Sequence, residues 1–271
     1  MEKNWDFGYA EAVKALLATA SVCIAGVQKR NTGGVLFARR GFSFEEQRQN
    51  TIIFHLKKGG IKMTIYIIMA ILAYAIGSIN FSVIFSRKFA GFDVRDKGSG
   101  NAGTTNMLRN VGKKAAAITL VCDILKGVVA ILIACLLDKI IEGVDGALLV
   151  QIAALAVVIG HTFPIFFEFR GGKGVATSLG ILICINWQIG LVCLVFALII
   201  MAVTRMVSAG SVTAAILYPV LVICQVGREY FIIGGNYIIF SILLALIVIF
   251  NHRANIKRIL SGTENKLSFK K

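Results

Sequence analysis

The chain has 271 residues, 57% of them hydrophobic and 16% charged, with a mean hydropathy of +0.78. Soluble domains run nearer ~45–50% apolar and ~25% charged, so a soluble globular fold is excluded and a polytopic membrane protein is indicated. The net charge of +15 lies between apolar runs rather than on one polar face, which excludes a nucleic-acid binder and fits loops facing anionic lipid.

Residues 1–62 do not resemble the rest. Their charges are scattered, and the one apolar run, 12–27, is broken by Lys14 and short for a span. Glu2, Asp6 and Glu11 spoil the basic start that a signal peptide needs. Lys57-Lys58-Gly59-Gly60 back-translates to a purine-rich AAGGAGG just before Met63, which resembles a bacterial ribosome-binding site. We therefore expect translation to begin at Met63, with residues 1–62 an upstream extension and residues 63–271 the functional domain.

The first span is expected over 64–85, where Gly77, Ser78, Asn80 and Ser82 suit close helix packing. A basic loop, 86–114, follows. The second span, 115–137, carries Asp123 and Lys126 three apart on one helix face. Charges there are costly and usually face inward as a pair. A short acidic connection, 138–146, leads to a third span, 147–167, ending in His161 and Pro164. The apolar stretch 175–207 is too long for one span of ~20 residues, and Asn186-Trp187-Gln188 marks a break. Spans at 208–226 and 231–250 precede a basic tail, 251–271. With the break the count is seven helices, and the positive-inside rule then places 86–114, 168–174, Arg205 and the tail in the cytoplasm. Cys122, Cys135, Cys184, Cys193 and Cys224 lie in or beside apolar runs without a C-x-x-C pair, and read as small apolar residues.

Three polar stretches thus share one face. The first, GSGNAGTTNMLR at 98–109, is glycine-rich, with Thr104, Thr105 and Asn106 as candidate helix caps and Arg109 on the first turns beyond. It matches G-x-G-x-x-G, but an apolar helix rather than a strand precedes it, so a dinucleotide fold is not implied. An anion cradle and an ordinary loop both fit. The second, Arg170-Gly171-Gly172-Lys173-Gly174, frees backbone between two cations before another helix, without Walker spacing. The third, from Asn251 and His252 to Glu264, adds a histidine and more cations.

The blocks GSGNAGTTNMLRNVGKK, GHTFPIFFEFRGGKGVATSLG and NHRANIKRILSGTENKL resemble, in order and spacing, the signature motifs of the bacterial acyl-phosphate-dependent glycerol-3-phosphate acyltransferases, the PlsY family. The similarity covers 63–271. It implies an all-α, seven-helix inner-membrane enzyme with its site at the cytoplasmic face. The expected reaction moves a fatty acyl group from acyl phosphate to the 1-hydroxyl of glycerol 3-phosphate. By the resemblance, Ser99, Arg109, Lys173, His252 and Asn255 form the catalytic set. Gly98, Gly100, Asn101, Gly103, Thr105, Asn106, Gly171, Gly172, Gly174, Ser208 and Asn251 bind substrate, and Glu264 is structural. Ala102 stands where proline or isoleucine is common, and Arg170 replaces a frequent lysine. No metal or cofactor is expected. The implied partners are the two substrates, the bilayer and the enzyme that supplies acyl phosphate. An anion transporter is the rival class, with Asp123 and Lys126 lining a pathway, but no internal repeat accompanies it.

Overall fold

The computed structural model describes residues 44–225 and 236–267, all helical or loop among those residues. Nine helices follow one another among them: α1 (Phe44–Gly77), α2 (Phe81–Ala90), α3 (Thr104–Asn110), α4 (Lys113–Ile140), α5 (Gly146–Thr162), α6 (Val175–Thr204), α7 (Val207–Gln225), α8 (Tyr237–Asn251) and α9 (Arg253–Leu260). The expected boundary at Met63 falls inside the continuous helix α1. Residues 226 and 231–235, the edges of two expected spans, lie outside the described residues.

The expected first span is interrupted. Helix α1 stops at Gly77, and α2 restarts at Phe81, with the Asn80 side chain accepting from the Val83 N–H as N-cap. Small polar residues that suggested close packing thus also break the helix. The break leaves backbone carbonyls inside the membrane that need donors. Lys126 of α4 supplies them, its Nζ donating to the carbonyls of Gly77 and Ile79 at 3.1 Å each. The same ammonium pairs with Asp123 at 3.0 Å, and His161 of α5 lies 3.5 Å from that carboxylate. The intramembrane charges therefore tie three helices together as a buried cluster and line no open path.

Helix pairs meet through reciprocal glycines. A Cβ on Gly77 of α1 would stand 2.2 Å from the Val157 carbonyl oxygen of α5, and one on Gly160 of α5 2.2 Å from that of Tyr74. The same exchange joins α4 to α6 through Gly127 and Gly180, facing the Thr177 and Ile124 carbonyls at 2.4 and 2.2 Å. Such close crossings suit a membrane, where small residues let backbones approach. Around them a core of Met69, Leu149, Val157, Ile181, Phe240 and Leu244 is buried, while Ile67, Leu125, Leu198 and Leu246 stay exposed for lipid contact.

Helix α6 breaks at Asn186, whose φ of −153° and ψ of 89° are not helical. The chain reverses there, since a Cβ on Gly190 would lie 3.2 Å from Leu182 backbone. Both ends of α6 consequently return to one face. Among the described residues, five helical segments, the first running from α1 into α2, are long and apolar enough to cross a membrane, or six when α8 and α9, bent by 64°, count as one span. The expected seven arises only when the two arms of α6 are counted separately. The first arm, 175–185, covers about 16 Å, roughly half of a ~30 Å hydrocarbon core.

The two faces separate as the charge pattern predicts. Tyr66, near the start of the first span, accepts a hydrogen bond from the Asp145 N–H in the acidic connection. At the opposite end, Ala102 donates to Gly171, Asn251 to Lys173, and Leu267 to the carbonyl of Arg205. All three polar stretches and Arg205 thus lie together.

Candidate active site

The stretch at 98–109 is built from inside. Gly98 and Gly100 have φ of +59° and +69°, the left-handed region that a Cβ disfavours. Asn106 is buried and wired to the loop: its Nδ2 donates to the Val94 and Lys97 carbonyls at 2.8 and 3.0 Å, and its Oδ1 accepts from the Ser99 N–H at 3.1 Å. Asn106, expected among the substrate-binding residues, therefore shapes the loop. The expected side-chain cap of the following helix is also absent: Gly103 takes the N-cap position of α3 without a side-chain bond.

Nor is the backbone cradle as open as expected. The N–H groups of Gly100, Ala102 and Gly103 donate to Lys97, Gly171 and Asn101. Those of Gly171 and Gly172 donate to the Thr162 and His161 carbonyls, each at 3.1 Å. A Cβ on Gly171 would lie 2.0 Å from the His161 carbonyl oxygen, and one on Gly172 2.1 Å from His161 Nε2. These two glycines form a seam against α5 that takes up both of their N–H groups. The N–H groups that remain are at the start of α6, where Gly174 (φ +84°) is an N-cap without a side-chain bond and the first donation back to it comes from Ser178. That terminus has a positive dipole end, which favours an anion there.

Arg95 is a member that the sequence pattern hides among ordinary loop cations. It is buried, grips Asp93 through Nε and Nη2, and donates from Nη1 to the Phe167 carbonyl at 2.6 Å. Burial opposes ionisation of Asp93, but the hydrogen bonds from Arg95 and Arg87 outweigh it and hold the carboxyl at about 2. This clamp fixes the first polar stretch to the second.

The third stretch closes the site. Lys173 Nζ donates to Asn255 Oδ1 in a short hydrogen bond, and Asn255 Nδ2 donates to Glu264 Oε1 at 2.7 Å. Ser208 of α7 donates to the same oxygen at 2.7 Å, and Arg258 Nε to Oε2 at 2.8 Å. Burial opposes the charge on Glu264, yet its bonds from Ser208, Asn255 and Arg258 hold its carboxyl below the usual range. Asn251 donates to Thr162 Oγ1 at 3.1 Å and to the Lys173 carbonyl, joining α8 to the glycine seam. Burial chiefly, with Arg258 and Arg109 nearby and against the pull of Glu264, brings Lys173 down to about 8.

His252 caps α8, is 2% exposed, and places Nδ1 2.7 Å from the Val248 carbonyl. A carbonyl can only accept, so Nδ1 carries the proton and, in the neutral ring, Nε2 is left with its lone pair. Burial and the Lys173 charge drop its pKa to about 4, so the ring is neutral at ordinary pH. Arg109 approaches from α3, with Nη2 3.5 Å from the Asn265 carbonyl. Lys173, Asn255, Ser208, Asn251 and His252 are thus brought together, with Arg109 beside them. Ser99 is exposed at the rim, and no described contact joins its side chain to the cluster; Asn101 and Thr105 are half-buried in the first stretch.

Beneath the cluster lies a half-open apolar cavity, with about 110 Å³ of space for solvent-sized molecules, between both arms of α6 and helices α7 and α8. Its walls start at Val175, Ser211 and Val248, which adjoin Gly174, Ser208 and His252 respectively.

The family model described as Glycerol-3-phosphate acyltransferase matches residues 67–262. The glycerol-3-phosphate acyltransferase of Clostridioides difficile is 44% identical over 206 residues, 76% of this chain and 97% of the relative. That of a Thermoanaerobacter species is 44% identical over 204 residues, 75% of this chain and 96% of the relative. A crystal structure of PlsY, an integral membrane glycerol 3-phosphate acyltransferase, in its glycerol 3-phosphate form aligns with a TM-score of 0.66. That match has 35% identity and covers 75% of this chain and 96% of the other.

Proposed function

The chain belongs to the glycerol-3-phosphate acyltransferase family, and from that premise we propose that it transfers a fatty acyl group from acyl phosphate to the 1-hydroxyl of glycerol 3-phosphate. The products are lysophosphatidic acid and inorganic phosphate. The observation that carries this reading is the junction of a cationic helix terminus with an apolar cavity. Gly174 and Lys173 stand directly above the cavity that Val175 begins. A ligand with a phosphate head on a hydrocarbon chain fits both halves.

In this reading the acyl phosphate head lies at Lys173 and the α6 N-terminus, with its chain in the cavity. Arg109, aided by Ser99, Asn101 and Thr105, holds the phosphate of the acceptor. The 1-hydroxyl oxygen attacks the acyl carbonyl carbon, and the bond from that carbon to the phosphate oxygen breaks. Lys173 and the free N–H groups stabilise the charge on the carbonyl oxygen as it forms. Nε2 of His252 accepts a hydrogen bond from the hydroxyl and orients it. With a pKa of about 4, the ring is a poor proton sink at neutral pH. The proton goes instead to the departing phosphate, an anion at least as basic as a phosphate monoester, whose second ionisation lies near pH ~6. Acyl phosphate is already an activated anhydride, so positioning and charge carry the rate without an acyl-enzyme.

The site would face the cytoplasm of a bacterial inner membrane, where both substrates are made and where the enzyme supplying acyl phosphate could deliver it. Purified protein in lipid, given acyl phosphate and glycerol 3-phosphate, should release phosphate and form lysophosphatidic acid. Uptake of phosphate compounds into sealed vesicles without acyl transfer would overturn the proposal in favour of transport.

A further inference from the structure

We propose that the Tyr218–Tyr237 pair is the floor of the cavity and sets the length of the acyl chain that the enzyme prefers. The inference rests on the proposed acyl-phosphate reading and goes beyond it, to a chain-length specificity assigned to named residues.

Three features point there. The cavity descends from the polar cluster along α7, from Ser211 past Ala214 to Tyr218, and Leu182 and Cys193 face its far end from the two arms of α6. Tyr218 is 2% exposed, and its hydroxyl donates to that of Tyr237 at 3.1 Å, with the rings edge-to-face at 6.4 Å. Tyr237 in turn stacks on Phe240 at 5.9 Å, so the floor is braced from α8. Two hydroxyls joined to one another are a stable way to end an apolar slot, since burying a hydroxyl without a hydrogen bond is costly.

The depth also matches. Along α7, Ser208 to Tyr218 covers about 15 Å at ~1.5 Å per residue, half of a ~30 Å hydrocarbon core. A chain anchored by its phosphate above Val175 therefore meets the Tyr218 ring about one leaflet down. A chain too short leaves the lower cavity empty, and one too long must bend or displace the ring.

The test uses the full chain, purified in lipid, with saturated acyl phosphates from decanoyl to stearoyl at saturating glycerol 3-phosphate. The readout is the ratio of kcat/KM for the longest donor to that for the shortest. Each methylene buried is worth roughly fourfold in transfer, so removing the floor in Tyr218→Ala should raise the ratio by about tenfold or more. Ala214→Leu fills the slot above the floor and should lower the ratio by a similar factor. It also carries the test alone if the alanine variant does not fold. Tyr218→Phe keeps the ring and should leave the chain-length optimum in place. A ratio unchanged in Tyr218→Ala and Ala214→Leu, with active wild type, overturns the gauge alone. A wild type that releases no phosphate from any acyl phosphate overturns the proposed function and the gauge with it.

Discussion

Glu264 makes no direct contact with substrate in the proposed mechanism, yet its replacement should be felt at Lys173. Its Oε1 accepts from both Ser208 and Asn255, and its Oε2 from Arg258. Glu264→Gln turns one oxygen into a donor. The less costly arrangement keeps the amide oxygen facing Ser208 and Asn255 and turns the NH₂ toward Arg258, a donor against a donor. Hydrogen bonds to charged groups are worth ~1.5–3 kcal/mol, but the Arg258 side chain is 36% exposed and can turn to water. We therefore expect a loss near the lower end, about 1–2 kcal/mol of stability, and a modest fall in turnover. Glu264→Ala is more severe. It leaves Ser208 and Asn255 as buried donors without an acceptor, at ~1–3 kcal/mol each, and frees the amide that orients Lys173. Transmitted to the transition state, this corresponds to roughly a hundredfold loss or more in kcat/KM. The pH dependence has a defined sign. The folded Glu264 carboxyl is held below its ordinary value, so its stabilisation is complete above the unfolded pKa of ~4.3 and disappears as pH falls through the folded value. The Tm difference between wild type and Glu264→Gln should therefore narrow below about pH 4. Steady-state kinetics and melting curves in detergent check both. A Glu264→Ala variant with normal kcat/KM and a lowered Tm would show that Asn255 and Lys173 do not depend on the carboxylate.

Other perturbations test separate parts of the site. His252→Gln retains hydrogen-bonding groups but cannot act as a base, so turnover should persist with a raised glycerol 3-phosphate KM; a collapse of kcat at constant KM, with loss of the acidic limb of the pH profile, would make His252 the base. Arg109→Lys should raise the glycerol 3-phosphate KM strongly, because a point charge replaces a planar fork able to hold two phosphate oxygens; a normal KM refutes that contact. Lys173 is charged below about 8 and neutral above it, so the acyl-phosphate KM should climb as pH rises through 8, and Lys173→Arg should move that limb out of range. Gly171→Ala puts a Cβ 2.0 Å from the His161 carbonyl oxygen, and should cost about 1–3 kcal/mol as an overpacked seam, read as a lower Tm together with reduced activity.

Much of the scaffold was legible because membrane spans announce themselves one segment at a time. The break at Asn186 followed from an overlong apolar run carrying polar residues, and the Asp123–Lys126 pair from their spacing on one turn. What the pair does was not legible, since the Gly77 and Ile79 carbonyls and His161 reach it from other helices. Arg95 was hidden for the same reason: in sequence it is one cation among many, and only burial against Phe167 separates it from them. The glycines were legible only in part. Composition marks where backbone is exposed to close approach, but not what approaches, and at Gly171 and Gly172 helix α5 does so.

The reciprocal glycine crossings bear on how a product leaves. Where α1 meets α5 and α4 meets α6, backbone touches backbone, and Gly210 repeats the arrangement between α7 and the second arm of α6, 2.5 Å from the Ala197 carbonyl oxygen. At the first two joints no layer of side chains could rotate to open a gap, whereas at Gly210 the Met201 side chain also stands against the crossing. Helix α8 contains no glycine and packs through Phe240, Leu244 and Val248. In the proposed reaction, a single-chain lipid formed in the cavity has its tail beside that helix. In that reaction, egress sideways into the leaflet falls to the walls that close on the cavity through side chains, α8 foremost, which can yield by rotamer changes while the catalytic loops stay fixed.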